Sequence, residues 1–261
     1  MRVSETERRG RWVGRNPDKD VVREEIWTAL ERGQHNVGPV WSRIPNFVGA
    51  DMAAKRLAEL ECWQRARVVK CNPDAPQIPV RLRALYDGKL LYTPVPELVE
   101  GFPFVLLDPD KLAQDGVQFE LAATSQGALE HGQPVMFEQM QPMDIVVVGC
   151  VGVTRKGGRT GKGGGFADLE LGIFRELGTV SENTPIVTTV HSIQVVDDDQ
   201  IVMLEHDSAL HWIVTEQEVI ETKSPYPQPS GVAWDVVQQD QLDDIPFLRK
   251  LKADILSRRS S

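Results

Sequence analysis

The segment GRTGKGGGFADLE, residues 158–170, combines closely spaced glycines with two cationic side chains, Arg159 and Lys162. Glycines let a backbone turn with positive φ and approach a ligand closely, while a helix N-terminus offers unpaired N–H groups and partial positive charge. The glycine-rich loop, defined as residues 158–165, therefore predicts an anion site. The alternative is a flexible surface turn whose two cations are simply solvated.

The elements on either side of the loop bear on this choice. The run DIVVVGCVGV, from Asp144, is unbroken apolar sequence, which is typical of a strand that is covered on both faces and lies at the sheet centre. After the loop, FADLELGIFRELG has apolar residues at helical spacing and a stop at Gly178. Ligands of open α/β sheets bind at this end of a strand, so the position favours a binding loop.

Two common phosphate-binding motifs do not match the loop. A Walker A motif needs GxxxxGK[ST], and a dinucleotide fingerprint needs an acidic residue that closes a second strand about twenty residues further on. Neither pattern is present here.

The remaining chain alternates helical and strand patterns. Helices are predicted in DVVREEIWTALERG, GADMAAKRLAELECWQRAR and DIPFLRKLKADILSRR, and strands in VVKCN, TPIVTTVHSIQVV and LHWIVTEQEVIET. The segment VRLRALYDGKLLYTPVP is predicted as a hairpin that turns at Asp87-Gly88. This order indicates an α/β fold with a mostly parallel sheet, as a single domain over residues 19–261 behind a flexible basic tail, residues 1–18.

Composition limits the partners. A formal charge of -9 argues against a general nucleic-acid or acidic-membrane binder, because such partners select basic faces. Three cysteines without a CxxC pair favour neither a disulfide framework nor a cysteine-rich zinc site, which fits a reducing cytoplasm. The start of the chain has no secretory hydrophobic region, and no stretch approaches the length of a membrane span.

Longer motifs carry a family resemblance. DIVVVGCVGVTRKGGRTGKGGGFADLELGIFRELG, with the later EHDSALHWIVTE, resembles the 5-formyltetrahydrofolate cyclo-ligase family, whose hallmark is a buried strand, R-x-G-x-G-x-G-[YF]-Y-D-R and a later histidine-aspartate pair. The segments RIPNFVGADMAA, VVKCNPDAP and PQPSGVAW look closer to its divergent branch of methenyltetrahydrofolate synthetase domain-containing proteins.

The resemblance implies a three-layer α/β fold akin to the ribose-phosphate isomerase and CoA-transferase group. It also implies that ATP phosphorylates the formyl oxygen of 5-formyltetrahydrofolate, after which ring closure gives 5,10-methenyltetrahydrofolate. Arg159 and Lys162 are the implied catalytic residues, and Asp168 and Asp207 the implied Mg²⁺ ligands. The implied ATP-binding residues are Lys19, Arg23, Arg159, Gly161, Lys162, Gly163, Gly164, Gly165 and Phe166.

Two departures from the family pattern leave alternatives open. The family has two aromatic residues before the aspartate and often arginine after it, whereas this chain has Phe166 and Ala167 before Asp168 and Leu169 after it. NPDAPQIPVRLRAL also has no clear counterpart of the substrate-binding glutamate. The hypotheses are the ligase reaction on a reduced folate by a monomer or weak homodimer, a non-ligase that keeps the nucleotide or folate site for a regulatory or partner-binding role, and a sugar-phosphate or CoA enzyme.

Overall fold

The structure, a computed structural model, describes residues 12–259. Its helices are α1 (Pro17–Arg32), α2 (Ala50–Ala58), α3 (Glu61–Arg65), α4 (Ile78–Tyr86), α5 (Pro109–Gln114), α6 (Phe119–Ala122), α7 (Ser125–His131), α8 (Phe166–Glu176), α9 (Gln239–Asp244) and α10 (Leu248–Arg259). Its strands are β1 (Val68–Cys71), β2 (Leu90–Pro94), β3 (Phe104–Leu107), β4 (Gln133–Val135), β5 (Ile145–Val147), β6 (Gly152–Thr154), β7 (Arg159–Thr160), β8 (Ile186–Thr189), β9 (Val195–Val196), β10 (Trp212–Val214) and β11 (Val219–Glu221).

One sheet of eight strands organises the molecule, in the order β11-β10-β8-β5-β1-β2-β3-β4. The five strands from β10 to β2 pair in parallel, whereas β11, β3 and β4 pair antiparallel at the two edges. β5 lies between β1 and β8, with Val146 opposite Lys70 on one side and Ile186 on the other. The prediction of a central strand here is confirmed, as is the mostly parallel sheet.

Helices cover both faces of this sheet. Successive side chains of β5 enter different cores: Val146 packs with Leu171 of α8 and Leu251 of α10, while Ile145 packs with Leu85 of α4. This alternation is what a strand buried on both faces requires, because neighbouring side chains point to opposite sides. The three-layer α/β fold is therefore confirmed.

The predicted hairpin over residues 80–96 is wrong. Its first half is helix α4, and its second half is β2, which pairs in parallel with β1. Gly88, with φ of 70°, ends the helix: its N–H donates to Leu85 O at 3.1 Å, and Lys89 N–H reaches Ala84 O at 2.9 Å. Gly88 of the Asp-Gly pair has the left-handed conformation that ends a helix. A tight hairpin turn uses the same conformation, so the pair alone does not distinguish the two structures.

The apolar run after Asp144 divides into two strands. β5 belongs to the large sheet, and β6 joins a second sheet of order β7-β6-β9. Within it, Gly152 pairs with Thr160, so β7 forms the start of the glycine-rich loop. The small sheet thereby positions the loop beyond the end of the central strand.

The N-terminal segment is folded from residue 12 onward. Trp12 is only 6% exposed, and its ring centroid lies 5.8 Å from that of Phe166 in an edge-to-face arrangement. Helix α1 begins at Pro17, and the side chain of Asn16 caps it by accepting from Lys19 N–H. The tail expected over residues 1–18 is thus packed from Trp12 on, and residues 1–11 lie outside the described part. None of the helices over residues 12–259 has the length and apolar content that crossing a membrane requires.

Candidate functional site

A cleft of about 520 Å³ opens at the carboxyl ends of β1 and β5. All of the residues that the sequence singles out line it: Lys19, Arg23, Arg159, Gly161, Lys162, Gly163, Gly164, Gly165, Phe166, Asp168 and Asp207. Residues from α1, β7, the loop, α8 and the segment before β10 thus meet at one place. Their roles in binding and catalysis remain predictions.

The glycine-rich loop presents a row of backbone donors. Over residues 12–259, no protein acceptor receives the N–H groups of residues 161–168. Gly165, with φ of 72°, ends the loop in the left-handed region and is the N-cap of α8, and no side chain caps that helix. Free N–H groups at the positive end of a helix are suited to an anion.

Arg159 and Asp168 form a buried ion pair at the start of α8. Arg159 Nη2 contacts Asp168 Oδ1, which also accepts from Ser208 N–H at 2.8 Å, and Arg159 Nε donates to Ser208 O at 2.8 Å. Burial by itself would lower the pKa of Arg159, but the facing carboxylate of Asp168 raises it, with a smaller contribution from Asp207. The guanidinium is therefore a permanent charge in the cleft wall.

Helix α1 adds two more cations. Lys19 Nζ pairs with Asp207 Oδ2, which also accepts from Leu204 N–H at 2.7 Å. Arg23 Nε donates to Gly161 O at 2.7 Å and to Thr160 Oγ1 at 3.0 Å, so it orients the start of the loop. Burial lowers the pKa of Arg23, against the raising influence of its partner Asp20.

The two aspartates fit a magnesium ion. One oxygen of each carboxylate, Asp168 Oδ1 and Asp207 Oδ2, accepts the internal hydrogen bonds. No hydrogen bond to Asp168 Oδ2 or Asp207 Oδ1 is made among the described residues, and His206 Nε2 lies 4.0 Å from Asp207 Oδ1. Mg²⁺ is usually held by one or two carboxylates together with substrate phosphates and water. The described residues contain no cluster of three or more acidic, histidine or cysteine ligands, so phosphate oxygens would have to complete the coordination.

Lys162 and Asp74 face the same space from different sides. Lys162 Nζ lies 5.1 Å from the centroid of the Trp12 ring, so the aromatic ring holds its ammonium in a cation–π contact. Asp74 follows β1, and burial raises its pKa against the lowering influence of the Lys162 charge. NPDAPQIPVRLRAL has no clear counterpart of the substrate-binding glutamate, and the carboxylate of this segment that the structure places in the cleft is that of Asp74.

A second ion pair lies beneath the cleft, between β1 and α8. Lys70 Nζ is 2.6 Å from Glu170 Oε2 and donates to Asn72 Oδ1 at 2.5 Å. Lys70 is 0% exposed and Glu170 is 3% exposed. Burial raises the pKa of Glu170 although Lys70 opposes the shift. The pair ties Asn72, which lines the cleft, to the helix that carries Asp168.

Several lining residues were missed in the sequence. Arg15 donates to Gly164 O at 3.3 Å, and Gln241 Nε2 donates to the same carbonyl at 2.9 Å. Residues 231–238 form a further side of the cleft. The carboxyl end of β1 could have indicated Asp74, because ligands bind there in parallel sheets. Arg15 and Gln241 lie too far from the loop along the chain for any local pattern to reveal them.

The cleft differs in charge from the whole chain. Its described lining contains five cationic side chains (Arg15, Lys19, Arg23, Arg159 and Lys162) and four carboxylates (Asp74, Asp168, Asp207 and Asp235), whereas the chain carries a formal charge of -9. Four of these cations pair with carboxylates (Arg15 with Asp240, Lys19 with Asp207, Arg23 with Asp20 and Arg159 with Asp168), so an anion is attracted chiefly by the free N–H groups and by Lys162. Fold and site together define an α/β protein whose cleft is suited to an anionic ligand.

Comparison with known proteins identifies the family. The model of the 5-formyltetrahydrofolate cyclo-ligase family matches residues 15–216, and the chain belongs to this family. It is similar to methenyltetrahydrofolate synthase domain-containing proteins of Bos taurus (39% identical) and Mus musculus (40% identical), each match covering 90% of this chain. The human protein of that name is 38% identical. The chain spans 61–63% of the length of these relatives.

Two solved structures resemble the fold. The 5,10-methenyltetrahydrofolate synthetase of Aquifex aeolicus is 20% identical, with a TM-score of 0.48 over 78% of this chain and 94% of that one. The 5,10-methenyltetrahydrofolate synthetase of Mycoplasma pneumoniae is 14% identical, with a TM-score of 0.44 over 76% of this chain and 98% of that one.

Proposed function

We propose that the protein binds Mg-ATP along the glycine-rich loop and uses it to convert 5-formyltetrahydrofolate into 5,10-methenyltetrahydrofolate. In this reaction the terminal phosphoryl group moves from ATP to the formyl oxygen and ADP leaves. The N10 nitrogen of the folate then attacks the activated carbon and releases its proton to water, and the new C–N bond forms as phosphate departs with the former formyl oxygen. Membership of the cyclo-ligase family supports this chemistry.

The residues of this chain would serve binding and charge neutralisation rather than nucleophilic attack. The free N–H groups of residues 161–168 would hold phosphate oxygens, with Arg159 and Lys162 adding full charges. Asp168 and Asp207 would hold Mg²⁺, which supplies neutralisation of phosphate charge when bound. Phosphoryl transfer depends chiefly on such positioning and electrostatic stabilisation, so no protein nucleophile is needed.

One observation carries the proposal: backbone donors with no acceptor among the described residues lie in the same cleft as Arg159 and Lys162. A solvated surface turn would not need buried Arg159 beside it, nor a hydrogen bond from buried Arg23 to the carbonyl of Gly161. The arrangement therefore supports an anion site over the surface-turn alternative.

The test is formation of the methenyl product, followed by its near-ultraviolet absorbance with ATP, Mg²⁺ and 5-formyltetrahydrofolate. Lys162→Ala should lower the rate about 10- to 100-fold, because a hydrogen bond to a charged group contributes about 1.5–3 kcal/mol. Lys156→Ala is the matched control, since Lys156 pairs with Asp198 on the surface outside the cleft. Equal rates for the two variants would contradict the assignment of Lys162.

A second candidate is a non-ligase homologue that keeps the site for a regulatory or partner-binding role. The observation that favours it is Ala167 beside Phe166 ahead of Asp168, where the family pattern has two aromatic residues. Such a protein would bind Mg-ATP, measurable by calorimetry, and form no methenyl product. Binding with no turnover in the wild type would replace the ligase proposal with this one.

A further inference from the structure

One side of the cleft is built by a part of the chain that lies outside the family match. That match ends at residue 216, whereas residues 231–241, here called the C-terminal wall, contribute lining residues from Gly231 to Gln241. The features that define the family therefore cover the loop and the strand ends but leave this side unspecified. Differences in ligand choice between this chain and the family pattern can arise here.

The N-terminal end of the wall packs against helix α8. A Cβ atom at Gly172 would lie 3.0 Å from Val232 Cα and 3.1 Å from Gly231 O, which is closer than a side chain tolerates without displacing backbone. Val232 N–H donates to Glu176 Oε1 at 3.0 Å. The close contact at Gly172 fixes the distance between the wall and the helix that begins at the glycine-rich loop.

The C-terminal end of the wall is hydrogen-bonded to the glycine-rich loop. Gln241 is 5% exposed, and its Nε2 donates to Gly164 O at 2.9 Å. Asp240 pairs with Arg15, whose Nη1 donates to the same carbonyl at 3.3 Å. The wall is therefore attached at both ends to the segment that would bind phosphate.

Between these anchors, the wall offers a different surface from the loop. Trp234 and Val232 belong to the main hydrophobic core, and Val232, Ala233, Asp235 and Val236 line the cleft, the last two as exposed residues. Apolar side chains with one anionic acceptor suit a flat ring that carries N–H donors on its edge, because the ring face avoids water and the donors meet the carboxylate. The same surface repels phosphate.

We propose that the C-terminal wall selects the ring of the ligand: it binds an amino-bearing nitrogen heterocycle, with Val236 against the ring face and Asp235 accepting from its N–H edge. The inference rests on the proposed function, which supplies two such rings, the adenine of ATP and the pteridine of the reduced folate. The loop binds the phosphates, and the wall determines which heterocycle accompanies them.

The experiment measures dissociation constants by calorimetry for three probes: Mg-ATP, inorganic triphosphate with Mg²⁺, and 5-formyltetrahydrofolate. Val236→Asp and Asp235→Asn are the wall variants, and Val48→Asp is the matched control, because Val48 is an exposed valine outside the cleft. Gly172→Ala is a second route, since it displaces the wall without changing a lining side chain.

The wall variants should weaken binding of one heterocycle about tenfold or more and leave triphosphate affinity within about twofold, as the loss of a hydrogen bond to a charged group implies. A loss confined to Mg-ATP assigns adenine to the wall, and a loss confined to the folate assigns the pteridine. Unchanged affinity for both, or an equal loss for triphosphate, overturns the proposal. Wild-type protein that binds none of the three probes refutes the proposed function as well, whereas triphosphate binding alone leaves the loop assignment standing and removes the wall.

Discussion

Replacing Lys70 by methionine tests the buried pair beneath the cleft. Lys70 and Glu170 are almost completely buried, with Nζ and Oε2 at 2.6 Å, so the variant leaves the glutamate without its partner. Removing one member of such a pair costs about 3–5 kcal/mol in the free energy of unfolding. For a chain of this size, that corresponds to a decrease in Tm of about 6–20 °C.

The loss of unfolding free energy in Lys70→Met relative to wild type, here called the deficit, should increase as the pH rises. Burial already raises the pKa of Glu170, and loss of the Lys70 charge, which opposes that shift, raises it further. Because an unfolded glutamate releases its proton near about pH 4.3, the folded variant binds a proton that its unfolded state lacks. Its stability is therefore highest in acid, and the deficit relative to wild type grows by up to about 1.4 kcal/mol per pH unit until the pH passes the folded pKa.

Urea denaturation of the wild type, Lys70→Met and the double variant Lys70→Met/Glu170→Leu at pH 5.5 and pH 8 would measure these quantities. The double variant should regain most of the lost stability, because an apolar pair of similar volume has no buried charge to solvate. Its deficit should also be independent of pH. A single variant whose deficit is the same at both pH values, or a double variant as unstable as the single, would refute the reasoning.

Three further perturbations have defined outcomes. Trp12→Ala should lower the free energy of unfolding in urea by about 3 kcal/mol, since the ring is 6% exposed, and an unchanged midpoint would show that this segment is not packed. Gly165→Ala should cost about 1 kcal/mol and weaken Mg-ATP binding in calorimetry, because its φ is 72°, whereas Gly161→Ala has open space, no positive φ and little expected effect on stability. Burial lowers the pKa of His211, whose Nδ1 accepts from Ile186 N–H at 3.0 Å. The stabilising contribution of the neutral imidazole is therefore present above about pH 6.5 and is lost as the pH falls through the folded pKa. His211→Asn should abolish that loss, which thermal melts at pH 7 and pH 5 would measure.

The sequence was sufficient for the elements whose patterns are local. The apolar run after Asp144 and the single apolar face of α8 were predicted in the right order, although the run divides into β5 and β6 and β5 itself does not reach the loop. The error at residues 80–86 has a physical cause: Asp87-Gly88 supplies the same positive φ to a helix end as to a hairpin. Only the tertiary fold decides between the two, by pairing β2 in parallel with β1.

The candidate site was predictable only in part for a similar reason. Arg159 and Asp168 stand nine residues apart in one motif, and their side chains meet in the structure. Trp12 and Gln241 reach the same loop from opposite ends of the described chain. Contacts between such distant positions follow from the path of the whole chain, which spacing within a motif cannot express.

The two hydrogen bonds to Gly164 O determine which way one peptide unit faces. A trans peptide is planar, and its carbonyl and the following N–H point in opposite directions. Because Arg15 and Gln241 hold the Gly164 carbonyl on their side of the loop, the N–H of Gly165 must point away from them. Rotation of this unit by half a turn would exchange a donor for an acceptor and reverse the sign of the local dipole. The polarity of the loop is thus fixed by two lining side chains that come from distant parts of the chain.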